Sequence, residues 1–169
     1  TELLLLTALA IAERKSFKTG WAARFWSPIV GAEHRAARQR VVLFGGSRFA
    51  GVCTADTWEW DGANWQRRFP ASSPTSAAFL AFDPSRGLVT SYGGSVQTGL
   101  TAESWTWDGT NWSQVAVSLP NPGQRASPVA WSPLSGGLLV YGGHAPTNDT
   151  WLTDPVQVGS FASFGAGCS

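Results

Sequence analysis

Three segments of this chain carry the same landmarks in the same order, and this repetition constrains the fold more than any other feature. In each segment an aromatic residue precedes a glycine pair, and a tryptophan follows on a stretch of alternating residues. The copies recur about every 50 residues, a period that indicates stacked repeats. The landmarks are Gly45, Gly46, Trp58, Trp60 and Trp65 in the first copy, Gly93, Gly94, Trp105, Trp107 and Trp112 in the second, and Gly142, Gly143 and Trp151 in the third.

The composition favours a folded β-rich protein. Of 169 residues, 43% are apolar and 12% are aromatic, which is enough to bury a core, and 19 glycines with 10 prolines fit many short strands joined by turns. The net charge is only +1, so no strong field attracts a nucleic-acid backbone, and we expect no nucleic-acid partner. The longest apolar run, within residues 3–12, is too short to span a membrane.

The second copy predicts four antiparallel strands. They cover residues 77–82, 88–92, 102–107 and 112–117, and the dipeptides Asp61-Gly62 and Asp108-Gly109 supply the positive φ angles of tight hairpin turns. Four antiparallel strands per repeat are typical of the blade of a β-propeller.

We expect structural roles for both the tryptophans and the recurring acids. Trp105 and Trp107 are two positions apart, so they share one face of their strand, and stacking of the next unit would cover that face. Asp56, Glu103 and Asp149 recur at one repeat position, where we expect each carboxylate to accept backbone N–H bonds.

The repeats predict a three-part organisation. Residues 1–35 match no repeat, and the apolar run there fits either an ordinary helix over residues 2–15 or a truncated export signal. Repeats occupy 36–154, divided as 36–75, 76–124 and 125–154, and a tail covers 155–169. The first and third copies are predicted to be incomplete, since the first lacks a counterpart of strand 77–82 and the third lacks an Asp-Gly turn and a fourth strand.

The sequence resembles the kelch repeat of bacterial β-propellers, the galactose oxidase-like superfamily. The matching elements are Phe82-Asp83, the aromatic residue before each glycine pair, and the Trp-Asp-Gly-x-Asn-Trp pattern at 60–65 and 107–112. The tail resembles the start of a C-terminal module that follows kelch arrays in secreted bacterial proteins. The resemblance implies an all-β fold, an extracellular or cell-surface location, and a partial kelch-type β-propeller.

Three repeats are fewer than kelch propellers use to complete a ring. We therefore expect an open arc of about three four-stranded antiparallel blades, preceded by the N-terminal segment. An open arc leaves strand edges unpaired, which predicts self-association through those edges.

No catalytic signature is present, and we expect neither an enzyme nor a cofactor. The chain lacks the zinc-binding, phosphate-binding and nucleophile motifs, and His34 and His144 are its only histidines. Copper chemistry of the galactose oxidase kind needs tyrosine ligands, but Tyr92 and Tyr141 occupy the position that Phe44 fills in the first copy. Packing therefore explains these tyrosines, and no metal site is predicted.

Binding through loops is the function that the sequence favours. The segments after the glycine pairs and between the repeats vary, and in kelch proteins these loops converge on one face. The predicted contact residues are Arg48, Phe49, Gln97, Arg125 and His144.

The predicted function is a non-enzymatic binding or scaffold module that recognises a protein or a glycan. The alternatives are a fragment of a kelch-fold carbohydrate-active oxidase or isomerase, and a structural or adhesive surface module. For Arg125, capping of its own strand is the alternative to ligand contact. Cys53 and Cys168 fit either a disulfide or two free thiols.

Overall fold

The chain is all-β over the part that can be described. The computed structural model describes residues 29–30, 40–46, 54–75, 77–96, 99–119, 121–142, 149–153 and 161–164. Within these ranges every regular element is a β-strand, and no helix there is long and apolar enough to cross a bilayer. The helix predicted over residues 2–15 lies outside the described residues, as does Gly143.

The described strands form three four-stranded antiparallel sheets, each made of four strands that are consecutive in the chain. The first sheet comprises β1 (Ile29–Val30), β2 (Val41–Phe44), β3 (Thr57–Trp60) and β4 (Trp65–Arg68). The second comprises β5 (Ala77–Asp83), β6 (Leu88–Val96), β7 (Gly99–Trp107) and β8 (Trp112–Val115). The third comprises β9 (Val129–Ser132), β10 (Gly137–Tyr141), β11 (Thr150–Thr153) and β12 (Phe161–Phe164).

The second sheet confirms the four predicted strands, but several of their bounds differ: β6 ends at Val96, β7 begins at Gly99 and β8 ends at Val115. The sequence predicts that a strand ends at the glycine pair, but β6 continues through Gly93 and Gly94 to Val96. The ladder with β7 shifts register between Tyr92 and Gly94, and the two glycines have φ angles of 68° and 127°. The extra residue lies in β7, where Ala102 and Glu103 stand opposite Gly93, and a bulge of this kind bends the ladder without ending it.

The prediction that the first and third copies are incomplete is wrong. Strand β1 pairs with β2 through Ile29 opposite Leu43, and β12 pairs with β11 along all four residues. Both added strands come from segments that show no repeat landmark. Strand pairing depends on backbone geometry as well as on side chains, so a segment without the consensus can complete the hydrogen-bonded ladder.

The Asp-Gly turns have the geometry that the sequence predicts. Gly62 and Gly109 have φ angles of 97° and 98°. Asp61 Oδ1 accepts the backbone N–H groups of Ala63 and Asn64, at 2.9 and 2.6 Å. The Asp108 carboxylate accepts the corresponding two bonds in the second sheet. These aspartates are turn residues, as predicted.

An apolar core joins the first and second sheets. Val42 and Phe44 of β2 pack against Trp107 and Trp112 of the second sheet, and the Phe44 and Trp112 rings meet edge to face at 5.0 Å. The tryptophan face of β7 is therefore covered by the preceding sheet, whereas the sequence analysis expected the next one.

The same relationship holds between the second and third sheets. Ala81 and Tyr92 of the second sheet form a core with Leu138 and Val140 of β10, and Trp151 packs against this group. In both cases the tryptophan of the later sheet faces the earlier sheet. The three sheets are thus joined by two equivalent interfaces.

Candidate binding groove

Two buried hydrogen bonds fix the second sheet against the first. The indole Nε1 of Trp107 donates to Glu59 Oε1 at 3.0 Å, and that of Trp112 donates to Thr57 Oγ1 at 2.8 Å. Glu59 is buried, and its other carboxylate oxygen forms an ion pair with Arg68 at 2.6 Å. These bonds satisfy polar groups inside an apolar interface. Because each bond needs a defined geometry, the two bonds also fix the position of the second sheet relative to the first.

The linker before β9 is held in the bulge of the second sheet. The N–H of Arg125 donates to the Thr101 carbonyl at 3.0 Å, and the Arg125 carbonyl accepts the N–H of Gly94 at 2.7 Å. A Cβ atom on Gly93 would overlap that carbonyl oxygen. The close approach of the two main chains therefore requires a residue without a side chain at position 93.

The Arg125 side chain then reaches the third sheet. Its Nη1 donates to the Gly142 carbonyl at 2.8 Å, and Nη1 and Nη2 contact the two Asp149 carboxylate oxygens at 2.9 and 3.2 Å. Asp149 Oδ2 also accepts the Trp151 indole N–H at 2.6 Å. Arg125 thus connects the bulge of the second sheet with β10 and the start of β11.

The Tyr92 side chain also contacts this linker, at Gly123. The ring is fully buried, and its hydroxyl donates to the Gly123 carbonyl at 3.1 Å. Burial raises the pKa of Tyr92 to about 12, although the positive charge of Arg125 opposes the shift. The hydroxyl therefore stays protonated well above its ordinary pKa and keeps donating its hydrogen bond to Gly123.

A surface groove lies where the second sheet meets this linker. Its volume is about 640 Å³, which is within the range of ligand sites. The lining combines the beginning of β7, the end of β8 with the residues that follow it, and one side chain of the linker. These residues are Thr101, Ala102, Glu103, Gln114, Val115, Ala116, Val117 and Gln124.

Glu103 is the only charged residue among those that line the groove. Its Oε2 accepts the Thr75 hydroxyl at 3.1 Å and the Trp105 indole N–H at 2.9 Å. These two bonds orient the carboxylate between β7 and the linker that joins the first and second sheets. An oriented carboxylate beside two amide side chains, Gln114 and Gln124, can accept and donate hydrogen bonds, and it disfavours anionic ligands.

The structure places one of the five predicted contact residues. Arg125 is buried, and its guanidinium binds Asp149 and the Gly142 carbonyl. Its role as a ligand contact stays a prediction. The other four, Arg48, Phe49, Gln97 and His144, lie outside the described residues, as do Cys53 and Cys168.

The recurring acids are bound by side-chain donors of the chain itself, and the backbone N–H bonds expected for them stay a prediction. Asp56 forms an ion pair with Arg67 at 2.8 Å, and Glu103 and Asp149 each accept the indole N–H of the tryptophan two residues later. Successive alternate residues share one face of a strand, which brings each acid beside that indole. In the second and third copies the acid-x-tryptophan spacing was therefore a sequence signal for this bond.

Sequence reasoning missed the groove itself. Gln114, Gln124 and Thr101 carry no distinctive motif, and they come together only because the linker lies at the bulge between β6 and β7. Among the described residues no three His, Cys, Asp or Glu side chains are grouped as metal ligands.

Comparison with known proteins identifies a similar fold. No family model and no curated protein matches the chain. Among solved structures, the structure of YjhT matches with a TM-score of 0.56 and 18% sequence identity over 82% of this chain. The match covers 45% of the YjhT chain, so this chain spans less than half of that protein. At this identity the similarity concerns the fold alone.

Proposed function

We propose that this chain is a kelch-type β-propeller segment that binds a protein or a glycan and performs no catalysis. The three sheets would be blades of an open arc. Two equivalent sheet interfaces, with the tryptophan face of each later sheet on the earlier one, support this arrangement. The kelch landmarks occupy these interfaces, because Trp107 and Trp112 form the first and Trp151 packs on the second.

The aromatic residue before the glycine pair differs in exposure among the three sheets. The aromatic residue before the glycine pair is fully buried in the first two sheets, at Phe44 and Tyr92, with 0% exposure each. Tyr141 at the same repeat position is 57% exposed. The second sheet covers Phe44 and the third sheet covers Tyr92, but none of the described sheets covers Tyr141.

The observation that carries the binding role is the groove. Its lining includes the start of β7 and Gln124, which belongs to a segment between repeats whose sequence varies. The predicted contact residues Arg48, Gln97 and His144 belong to the corresponding loops of the three repeats. A rigid sheet that presents variable loops and a groove at one end is a common design for recognition.

An array experiment tests this proposal. The purified chain is applied to arrays of glycans and of extended peptides, alongside the variants Arg48→Ala, Phe49→Ala, Gln97→Ala and His144→Ala. We expect specific binding that at least one loop variant weakens about tenfold, which corresponds to about 1.4 kcal/mol. Leu134→Ala is the matched control, because Leu134 is 99% exposed in the turn between β9 and β10.

Two results would contradict the proposal. The first is turnover in assays of sugar oxidation or isomerisation, with and without copper, that the same loop variants abolish. The second is binding that Leu134→Ala weakens as much as the loop variants do, because the contact would then lie away from the loops.

A further inference from the structure

The third sheet has a second face, opposite to the one that packs on the second sheet. Leu138, Val140 and Trp151 contribute to the core with the second sheet. Successive side chains of a strand point to opposite faces, so Leu139 and Tyr141 of β10 lie on the other face. We call this the outer face of the third sheet.

The strand pairings extend the outer face across all four strands. Leu139 pairs with Ala130 of β9 and with Leu152 of β11, and Leu152 pairs in turn with Ala162 of β12. Tyr141 pairs with Thr150. Residues directly opposite each other in a ladder share one face of the sheet. The outer face therefore carries Ala130, Leu139, Tyr141, Thr150, Leu152 and Ala162.

These six side chains form an uncharged and largely apolar surface. Ala130, Tyr141 and Ala162 are exposed, Tyr141 at 57%, and the other three residues are half-buried. The two aliphatic pairs across the ladder make the apolar surface continuous from β9 to β12. Packing against another sheet would remove this surface from water.

The outer face differs from its counterpart in the first sheet at one important position. Leu152 occupies the repeat position of Glu59, whose carboxylate accepts the Trp107 indole N–H inside the first interface. A sheet with tryptophans placed as in the second sheet would bury that N–H against Leu152 without an acceptor, which is unfavourable. The outer face therefore suits an apolar partner better than another sheet of that kind.

A second copy of the same face meets this requirement. Two uncharged faces can pack together without burying a charge, and pairs of identical surfaces related by a two-fold axis are the commonest contacts in oligomers. The tryptophan face of the first sheet is a poorer partner, because Trp60 on that face is already buried, with 8% of its surface exposed.

We propose that two copies of this chain associate through the outer faces of their third sheets, around a two-fold axis. Four strands of four or five residues cover about 20 by 15 Å, which is smaller than a standard interface. The dimer is therefore weak, with a dissociation constant between about 10 μM and about 1 mM. This contact lies away from the groove at Glu103, so it does not depend on the proposed binding role.

Sedimentation equilibrium of the purified chain, from about 10 μM to about 1 mM, tests the proposal. We expect the mass to rise toward that of two copies and no further, because each copy uses its only outer face in the contact. A monomer at every concentration would overturn the proposal. Growth beyond two copies would also overturn it, since it would indicate association through strand edges.

Charge variants locate the contact. Leu152→Glu places a carboxylate of each copy inside the interface, so we expect at least about tenfold weaker association. Ala130→Glu does the same from an exposed position, and it provides the test if Leu152→Glu does not fold. Leu134→Glu is the matched control, because Leu134 is 99% exposed in a turn, and it should associate like the wild type. Equal weakening by Leu134→Glu would overturn the proposal.

Disulfide formation distinguishes a two-fold contact from a head-to-tail one. Leu139 and Leu152 lie on the two middle strands, so a two-fold axis through the face brings them near the same residues of the second copy. In a chain with Cys53→Ser and Cys168→Ser, Leu139→Cys or Leu152→Cys should cross-link two copies faster than Leu134→Cys, although Leu134 is more exposed. If neither cross-links faster than Leu134→Cys, the two-fold arrangement is wrong.

Discussion

Gly93 shows how a single residue connects two sheets. Its φ angle of 68° is unfavourable for any residue with a side chain, and the Arg125 carbonyl occupies the space that a Cβ atom would need. The Arg125 main chain cannot easily move away, because it bonds both Gly94 and Thr101. The glycine pair is therefore required by a contact with another repeat as well as by its own backbone conformation.

Gly93→Ala should destabilise the protein strongly. The positive φ angle alone costs about 1 to 3 kcal/mol, and the overlap with Arg125 adds roughly 1 to 3 kcal/mol. Gly62→Ala is the matched control, because Gly62 also has a positive φ angle but no atom lies near its missing Cβ. Urea unfolding measures both, and equal losses of stability would contradict the close contact.

Tyr92 gives the protein a dependence on alkaline pH. A free tyrosine loses its proton near pH 10, whereas burial raises the pKa of Tyr92 to about 12. The folded state therefore favours the neutral hydroxyl, so this stabilisation is complete below pH 10 and is lost as the pH rises toward 12. By about pH 11.5 the loss is about 2 kcal/mol.

Unfolding experiments on wild type and Tyr92→Phe test this dependence. We expect the stability of the wild type to fall more than that of the variant between about pH 9 and about pH 11.5. Parallel curves for the two proteins would show that Tyr92 is not the group responsible.

At the scale of elements, the interfaces between sheets depend on buried polar contacts. Strand β3 directs Glu59 toward the second sheet, where the carboxylate accepts the Trp107 indole and also binds Arg68. The sequence predicts the strands and turns well, because alternation and Asp-Gly pairs are local signals. It does not predict that an acid between two tryptophans faces the neighbouring sheet.

Glu59→Ala should weaken this interface by about 1 to 3 kcal/mol, because it leaves a buried indole N–H without its acceptor. Arg67→Ala is the control, since its ion pair with Asp56 is on the surface and should contribute less than about 1 kcal/mol. Chemical denaturation distinguishes them, and equal effects would mean that the Glu59 bond is unimportant.

Arg125 tests whether a predicted contact residue is structural. Arg125→Lys keeps the charge but loses the fork that contacts both Asp149 oxygens and Gly142, so we expect a loss of about 1 to 3 kcal/mol of stability. Unchanged stability together with weaker ligand binding would instead favour the role of Arg125 as a ligand contact.

At the scale of the whole molecule, the outer face of the third sheet has consequences for assembly. Tyr141 is exposed, whereas Phe44 and Tyr92 at the same repeat position are buried by the following sheet. The sheet face that carries Tyr141 is therefore more exposed than the corresponding faces of the first two sheets. Exposed apolar sheet faces favour association.

We expect the mass measured by sedimentation to rise with protein concentration, and Tyr141→Lys to reduce this association by placing a charge on the face. Leu134→Lys is the control, because Leu134 lies in a turn and is 99% exposed. A monodisperse monomer at high concentration would contradict self-association.

The sequence by itself determined the all-β class, the four strands of the second sheet and the Asp-Gly turns. These features follow from alternation and from glycine conformation, which act over a few residues. Only the tertiary structure decided the other features. Strands β1 and β12 carry no repeat consensus, and the tryptophans of the second sheet face the preceding sheet. The groove at Glu103 lies where the Arg125 linker meets the bulge between β6 and β7. Such features depend on pairing between residues that are distant in the chain, and no local pattern encodes which distant partner is available.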